Sequence, residues 1–241
     1  MGQDGRHRGK IMKEIDLVIF DMAGTTILDA GQVPDAFRTV LHAQGIEVTD
    51  EALRSVRGAS KREAILRFVE RHFPGEPAEM DQRAARVFAA FREHLAKSYA
   101  QGGVQPIPGA AQTFAWLHGH GIKAALNTGF DRTITDLLLQ AIGWDHHTVD
   151  AVICGDDVPQ GRPAPFLIFR TMEATGVISV DRVMNVGDTV LDLQAGRNAG
   201  VGENIGVLSG AHSLAQLEKA PHTRLIPSVA EIPALWPKGP S

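Results

Sequence analysis

Short apolar runs alternate with longer amphipathic stretches over most of the chain. The first run, residues 15–20, is rich in β-branched side chains and ends at Asp21, as a buried parallel strand entering a loop would. Similar runs occur at residues 122–127, 149–154, 182–186 and 205–208, with a weaker one at 223–226. Helical patterns separate these runs, at residues 109–118, 132–142, 165–175 and 192–199. The alternation predicts an α/β fold, in which a parallel sheet carries helices on both faces.

One long stretch departs from this alternation, because residues 33–100 contain helical patterns and no convincing strand. The helical patterns cover residues 35–44, 50–56, 61–73 and 78–99. Ligands of open α/β sheets bind beyond the carboxyl ends of the strands, so helices inserted after the first strand would cover such a site. We therefore expect three parts: a disordered tail at residues 1–12, a core at residues 13–30 and 104–241, and a helical cap at residues 31–103.

Composition and charge exclude several classes of protein. The chain has 241 residues and a formal net charge of −4, which argues against nucleic-acid binding driven by bulk charge. The single cysteine, Cys154, cannot form an internal disulfide and favours a reducing compartment. No apolar run approaches the roughly 18 residues of a membrane span, and residues 1–10 lack the apolar part of a secretory signal. We expect a cytoplasmic protein with no membrane or nucleic-acid partner.

Polar side chains stand where the predicted strands end. Asp21 follows the first strand, Thr128 follows the second, and Asp188 follows the run at residues 182–186, with Asp192 four residues later. A carboxylate at the tip of a buried strand suits a nucleophile or a ligand of a hard cation, although an isolated aspartate also suits a simple turn cap. Arg162 lies in a loop between glycine and proline, where its guanidinium could pair with a phosphoryl oxygen.

These residues resemble the four motifs of the haloacid dehalogenase superfamily, and most closely those of its phosphonatase branch and phosphonatase-like relatives. The resemblance covers residues 14–232 and implies a Rossmann-like core. It also implies that Asp21 is a nucleophile forming an aspartyl-phosphoryl intermediate, and that Thr128, Gly129 and Arg162 hold the phosphoryl group. It further implies a homodimer and a bound Mg²⁺ with four candidate ligands: Asp21, Asp188, Asp192 and the backbone carbonyl of Ala23.

Ala23 separates this chain from the phosphatases that it resembles. Those enzymes carry a second aspartate at this place, which protonates the leaving alkoxide and later activates water. Loss of such a general acid lowers the rate by roughly 10²–10⁴ for a poor oxygen leaving group. A leaving group that departs as a carbon enamine needs no such proton, so Ala23 favours a phosphonate substrate. The other interpretation is a slow phosphatase.

Lys61 is the candidate for activating the carbon leaving group. Ser60 and Glu63 have the spacing of a capping box, so Lys61 is predicted to be the first residue of a helix, at the end of an apolar stripe. The helix dipole, the apolar surroundings and the nearby Arg57 all lower the pKa of a lysine in this place. A neutral amine can form a Schiff base, which the resemblance implies for this cap lysine. The alternative is that Lys61 only binds the substrate.

Arg57 and Ala64 depart from the phosphonatase pattern, which carries methionine and histidine in these places. Arg57 adds a charge that could anchor a carboxylate or a second acidic group of the substrate, and Ala64 removes a candidate proton shuttle. We predict an Mg²⁺-dependent hydrolase that cleaves the C–P bond of a small, phosphonoacetaldehyde-like carbonyl phosphonate through a Schiff base on Lys61. The alternatives are a phosphatase or phosphomutase acting on small phosphate esters, and a non-catalytic binding protein on the same fold.

Overall fold

The computed structural model describes residues 14–236, so the predicted tail at residues 1–12 lies outside the described part of the chain. The strands in this part are β1 (Leu17–Phe20), β2 (Lys123–Asn127), β3 (Ala151–Ile153), β4 (Val183–Gly187), β5 (Glu203–Val207) and β6 (Arg224–Ile226). They form one six-stranded sheet in the order β3-β2-β1-β4-β5-β6. Every neighbouring pair is parallel, which confirms the predicted parallel sheet.

The centre of the sheet is β1, whose four residues are all buried. Phe20 at its end pairs with Leu126 of β2 on one side and with Val186 of β4 on the other. The chain therefore leaves all three strands at the same edge of the sheet. From β1 to β3 the chain adds strands on one side of β1, and from β4 to β6 it adds them on the other side. Open α/β sheets bind their ligands beside such a change of side, which here lies between β1 and β4.

The first four helices after β1 are called the helical segment: α1 (Gln32–His42), α2 (Asp50–Ser55), α3 (Lys61–His72) and α4 (Pro77–Gly102). The aromatic ring of Phe37 lies 6.4 Å from that of Phe68 and 4.7 Å from that of Phe91, so α1, α3 and α4 share one apolar centre. The four helices agree with the predicted helical patterns. That they form a cap domain with the predicted boundaries stays a prediction.

The remaining helices are α5 (Ala110–Gly119), α6 (Arg132–Ile142), α7 (Phe166–Thr175), α8 (Val190–Ala199) and α9 (Leu214–Leu217). Successive residues of β1 point to opposite faces of the sheet. Phe20 packs edge-on against Phe114 of α5, while Ile19 belongs to a second cluster that contains Ile168 of α7. Helices thus cover both faces, and the α/β fold is confirmed.

Some helix ends differ from the sequence pattern because side chains outside the apolar stripe cap them. Helix α8 begins at Val190 instead of Asp192, because Thr189 is the N-cap and Asp192 is the third helical residue of a capping box. A second capping box, from Ser213 to Gln216, starts the short α9, which the apolar pattern did not reveal. Among residues 14–236, no helix has the length and apolar character that crossing a membrane requires.

Candidate active site

Asp21 and Arg162 form a buried ion pair at the carboxyl edge of the sheet. The Arg162 guanidinium donates to Oδ1 of Asp21 at 2.7 Å, and the same nitrogen lies 2.8 Å from Oδ1 of Asp192. All three side chains are almost fully buried. Burial of such charges is costly unless they are paired, so one arginine compensates two carboxylates from different elements.

The other contacts of Arg162 tie together the core and the helical segment. Its second terminal nitrogen donates to the backbone carbonyl of Asn127 at 3.1 Å and to the side-chain oxygen of Asn127. Its first terminal nitrogen also donates to the carbonyl of Gly58 at 3.3 Å. The planar guanidinium can make these contacts at once because its donors point in fixed directions. The Asn127 side chain was not predicted as part of the site.

Asp188 follows β4 and is completely buried beside Asp21. Its Oδ1 accepts a hydrogen bond from the Thr25 hydroxyl at 3.0 Å, and its Oδ2 accepts one from the backbone N–H of Ala211 at 2.6 Å. Burial raises the pKa of the Asp188 carboxyl, and the nearby carboxylate of Asp21 raises it further. Gly24 has φ +93°, and a Cβ there would lie 2.5 Å from Asp188, so the loop after β1 needs glycine to approach this carboxylate.

Asp192 has a structural role at the start of α8. Its Oδ2 accepts hydrogen bonds from the backbone N–H of Thr189 at 3.0 Å and from the Thr189 hydroxyl. Its other oxygen faces Arg162. Direct coordination of a cation by Asp192 therefore stays a prediction.

A group of three buried carboxylates results, and it is the candidate metal centre. One oxygen from each of Asp21, Asp188 and Asp192 lies within 4.8 Å of the others. Burial raises the pKa of Asp21, the charge of Asp192 raises it further, and the Arg162 guanidinium opposes both effects. Clustered oxygen donors whose charges repel one another fit a hard divalent cation such as Mg²⁺. The predicted ligand set, which also includes the backbone carbonyl of Ala23, stays a prediction.

Lys61 is the first residue of α3, as predicted, and it is 8% exposed. Its Nζ donates to the carbonyl of Ala59 at 3.2 Å and lies 4.7 Å from the centre of the Phe130 ring. Burial lowers the pKa of Lys61 to about 8; the Asp21 carboxylate opposes the shift, and Arg162 and then Arg57 add to it. The direction agrees with the sequence prediction, but burial is the largest cause.

The predicted capping box at the start of α3 is only half formed. The Ser60 hydroxyl accepts from the backbone N–H of Glu63 at 3.5 Å, as a capping box requires. The Glu63 carboxylate instead accepts a hydrogen bond from the backbone N–H of Gly161 at 2.6 Å, in the loop that carries Arg162. The helical segment thus reaches the core through this side chain.

Arg57 forms an ion pair with Asp29, which lies in the loop between β1 and α1. The Asp29 side chain is only 8% exposed, and its Oδ1 also accepts from the backbone N–H of Gly31 at 3.0 Å. The charge of Arg57 is therefore already paired inside the chain. A role for Arg57 in anchoring an acidic group of a substrate stays a prediction.

Thr128 and Gly129 follow β2 and lie where the helical segment touches the core. The Thr128 hydroxyl is buried and accepts from the backbone N–H of Phe130 at 3.1 Å. The Gly129 carbonyl accepts from the backbone N–H of Lys61 at 3.0 Å. A Cβ at Gly129 would lie 2.3 Å from the carbonyl oxygen of Ala59, so this approach requires glycine.

Most of the predicted site residues line a single narrow cavity between the core and the helical segment. It has about 20 Å³ of water-accessible volume, and its predicted members are Asp21, Ala23, Arg57, Lys61, Thr128 and Asp188. A water molecule needs roughly 10–15 Å³, so the cavity holds about one. Arg162 and Asp192 complete the cluster through their contacts with Asp21 and with each other. Asp29 lines the same cavity and was missed, because an aspartate in a turn carries no distinctive pattern.

Comparison with known proteins identifies the family and supports the fold. Residues 15–200 match a family model described as a haloacid dehalogenase-like hydrolase. Phosphonoacetaldehyde hydrolase of Bacillus cereus strain G9842 is 32% identical over 219 residues, which cover 86% of this chain and 80% of that protein.

Two of the similar solved structures cover most of the chain. A hydrolase from Pseudomonas syringae superposes with a TM-score of 0.79 and 21% identity, covering 91% of this chain and 96% of its own. A phosphonoacetaldehyde hydrolase-like protein from Oleispira antarctica superposes with a TM-score of 0.76 and 24% identity, covering 93% and 92%. At these identities the two structures support the fold.

Proposed function

Because the chain belongs to the haloacid dehalogenase-like hydrolases, we propose that it hydrolyses the C–P bond of a small carbonyl phosphonate. The observation that carries this proposal is the buried amine of Lys61 in the same cavity as Asp21, with alanine two residues after Asp21. The B. cereus relative is named for phosphonoacetaldehyde. A substrate of that kind has a phosphoryl group, which Asp21 would attack, and a carbonyl carbon, which Lys61 would attack.

In the first step, Lys61 is the nucleophile that attacks the carbonyl carbon of the substrate. The neutral Nζ attacks the carbonyl carbon, water is lost, and the imine takes up a proton from solvent. A lysine pKa of about 8 leaves part of the amine neutral near pH 7. The positive imine withdraws electrons from the adjacent C–P bond and turns the methylene carbon into a stabilised leaving group.

In the second step, Asp21 is the nucleophile that attacks phosphorus. Its carboxylate oxygen forms a bond to phosphorus as the C–P bond breaks, and the C–P electron pair passes to carbon as an enamine. Arg162 contacts Asp21 at 2.7 Å and would balance the charge of the phosphoryl oxygens. The Thr128 hydroxyl and the Gly129 backbone would hold that group.

Water then completes the reaction. It hydrolyses the aspartyl phosphate to phosphate and free Asp21, and the enamine takes up a proton. Hydrolysis of the resulting imine releases an aldehyde and restores Lys61. Because the carbon leaves as an enamine, Asp21 needs no neighbouring acid to protonate an oxygen, and this accounts for Ala23.

The residues that would hold Mg²⁺ are Asp21, Asp188 and the backbone carbonyl of Ala23, with Asp192 beside them. The bound ion would neutralise part of the charge of the phosphoryl group. Among the described residues, Arg162 is the buried cation nearest to Asp21. The homodimer and the cytoplasmic location stay predictions.

Borohydride trapping tests the proposal. The protein is incubated with phosphonoacetaldehyde and reduced, and the modified residue is located by peptide mass mapping. We expect a covalent adduct on Lys61 that Lys61→Ala abolishes and that Lys97→Ala, which changes an exposed lysine of α4, retains. No adduct, or one that survives Lys61→Ala, contradicts the Schiff base. Rapid turnover of phosphate esters that Lys61→Ala leaves unchanged would favour a phosphatase or phosphomutase.

A further inference from the structure

The Glu63 side chain links the helix that carries Lys61 to the loop that carries Arg162. Its Oε1 accepts from the backbone N–H of Gly161 at 2.6 Å, although the two residues are 98 positions apart in the chain. A Cβ at Gly161 would lie 2.9 Å from the Ser60 side chain and 3.3 Å from Glu63. The start of α3 and the loop of Arg162 can therefore approach this closely because Gly161 has no side chain and because Glu63 supplies the accepting carboxylate.

Two further contacts join the same parts of the chain, and both use backbone atoms of the helical segment. The backbone N–H of Lys61 donates to the carbonyl of Gly129 at 3.0 Å, and the Gly58 carbonyl accepts from Arg162 at 3.3 Å. Among these three contacts, only that of Glu63 comes from a side chain of the helical segment. It can therefore be removed by substitution without changing the backbone that makes the others.

We propose that Glu63 is a positioning residue that holds Lys61 and Arg162 at a fixed spacing across the junction of core and helical segment. The catalytic meaning of this spacing rests on the proposed function, in which one substrate molecule is bound to Lys61 at carbon and faces Arg162 at phosphorus. Misplacement of reacting groups by about 1 Å can cost on the order of 10²-fold in rate. Loss of the Glu63 contact would let the start of α3 move relative to the core, and this would slow the reaction although all catalytic side chains are still present.

Kinetics with phosphonoacetaldehyde provide the first test, using three variants. Glu63→Ala removes the acceptor, Glu63→Gln keeps an oxygen that can accept from Gly161, and Glu70→Ala changes an exposed glutamate of the same helix. We expect kcat to fall about 10–100-fold in Glu63→Ala, and to stay within about threefold of the parent protein in the other two. A Glu63→Ala rate near that of the parent, or a Glu63→Gln rate as low as that of Glu63→Ala, would overturn the proposal.

Amide hydrogen exchange provides a second test that needs no substrate. The backbone N–H of Lys61 bonds to Gly129 and not to Glu63, so it reports whether the start of α3 leaves the core. We expect its exchange to accelerate at least tenfold in Glu63→Ala and to be restored in Glu63→Gln. Unchanged exchange of Lys61 in Glu63→Ala refutes the positioning role. If the parent protein fails to act on phosphonoacetaldehyde, the proposed function fails and the exchange result still decides the role of Glu63.

Discussion

The ammonium nitrogen of Lys61 lies 4.7 Å from the centre of the Phe130 ring. Phe130 follows Thr128 and Gly129, so the loop that lines the candidate phosphoryl site also forms one wall around the lysine. An aromatic face attracts a cation, but it is apolar and displaces water. The net outcome is a lysine whose pKa burial lowers to about 8.

This pKa predicts the pH dependence of the reaction. Below about pH 8 the ammonium form of Lys61 predominates and cannot attack a carbonyl, and above it the neutral amine predominates. We expect kcat/KM for phosphonoacetaldehyde to rise with pH and to level off above about 8, as measured by phosphate release. Lys97→Ala serves as the control and should show the same profile. A profile that is flat from about pH 6 to pH 9 contradicts the assignment of Lys61.

Removal of Arg162 is expected to destabilise the fold. Arg162→Ala leaves the carboxylates of Asp21 and Asp192 buried without their shared cation. Breaking a buried ion pair costs roughly 3–5 kcal/mol of unfolding free energy. Urea denaturation measures this loss, and Arg170→Ala, at an exposed pair with Glu173, should change the free energy by at most about 1 kcal/mol. If the two substitutions lowered the unfolding free energy equally, the buried contacts of Arg162 would contribute no more stability than an exposed ion pair.

Gly129→Ala is expected to separate the helical segment from the core. Its Cβ would lie 2.3 Å from the Ala59 carbonyl oxygen, so one of the two backbones must move. Overpacking of this kind costs about 1–3 kcal/mol of stability. The displacement also moves Lys61, so we expect kcat to fall at least tenfold.

The matched control for that substitution is Gly119→Ala in α5, where a Cβ meets nothing within 4 Å. Alanine is the better helix former by about 1 kcal/mol, so this variant should be as stable as the parent protein or more stable. Thermal unfolding and phosphate release together distinguish the two variants. Full activity in Gly129→Ala would be inconsistent with the close contact.

Chelation is expected to stop phosphate release, and added Mg²⁺ should restore it. In Asp188→Asn the candidate metal centre loses a carboxylate, so we expect added Mg²⁺ to leave this variant inactive. A second, exposed group of possible ligands contains Asp145, His146 and His147, and Asp145→Asn controls for its contribution. Phosphate release that persists at high chelator concentration would exclude the metal requirement.

The chemistry at the strand ends could be predicted from sequence because it is local. A polar residue directly follows each of β1, β2 and β4, and the parallel arrangement brings these residues, Asp21, Thr128 and Asp188, to one edge. The start of α3 at Lys61 was predictable for the same reason, since Ser60 caps it within three residues.

The contacts that assemble the site were not predictable, because they join residues far apart in the chain. Arg57 pairs with Asp29 across 28 positions, and Arg162 reaches Asn127 across 35. Neither pair leaves a periodic signal. Glu63 illustrates the limit: its spacing from Ser60 predicted a local partner, but its carboxylate bonds Gly161 in the core.

Backbone atoms of Gly58, Ala59 and Lys61 make much of the described contact between the helical segment and the candidate site. Backbone groups are the same whichever side chains surround them, apart from the glycines that the close approaches require. Side chains of the helical segment that face the cavity can therefore be exchanged during evolution while the junction persists. A substitution at Arg57, which lines the cavity, then needs no new contact between the helical segment and the core.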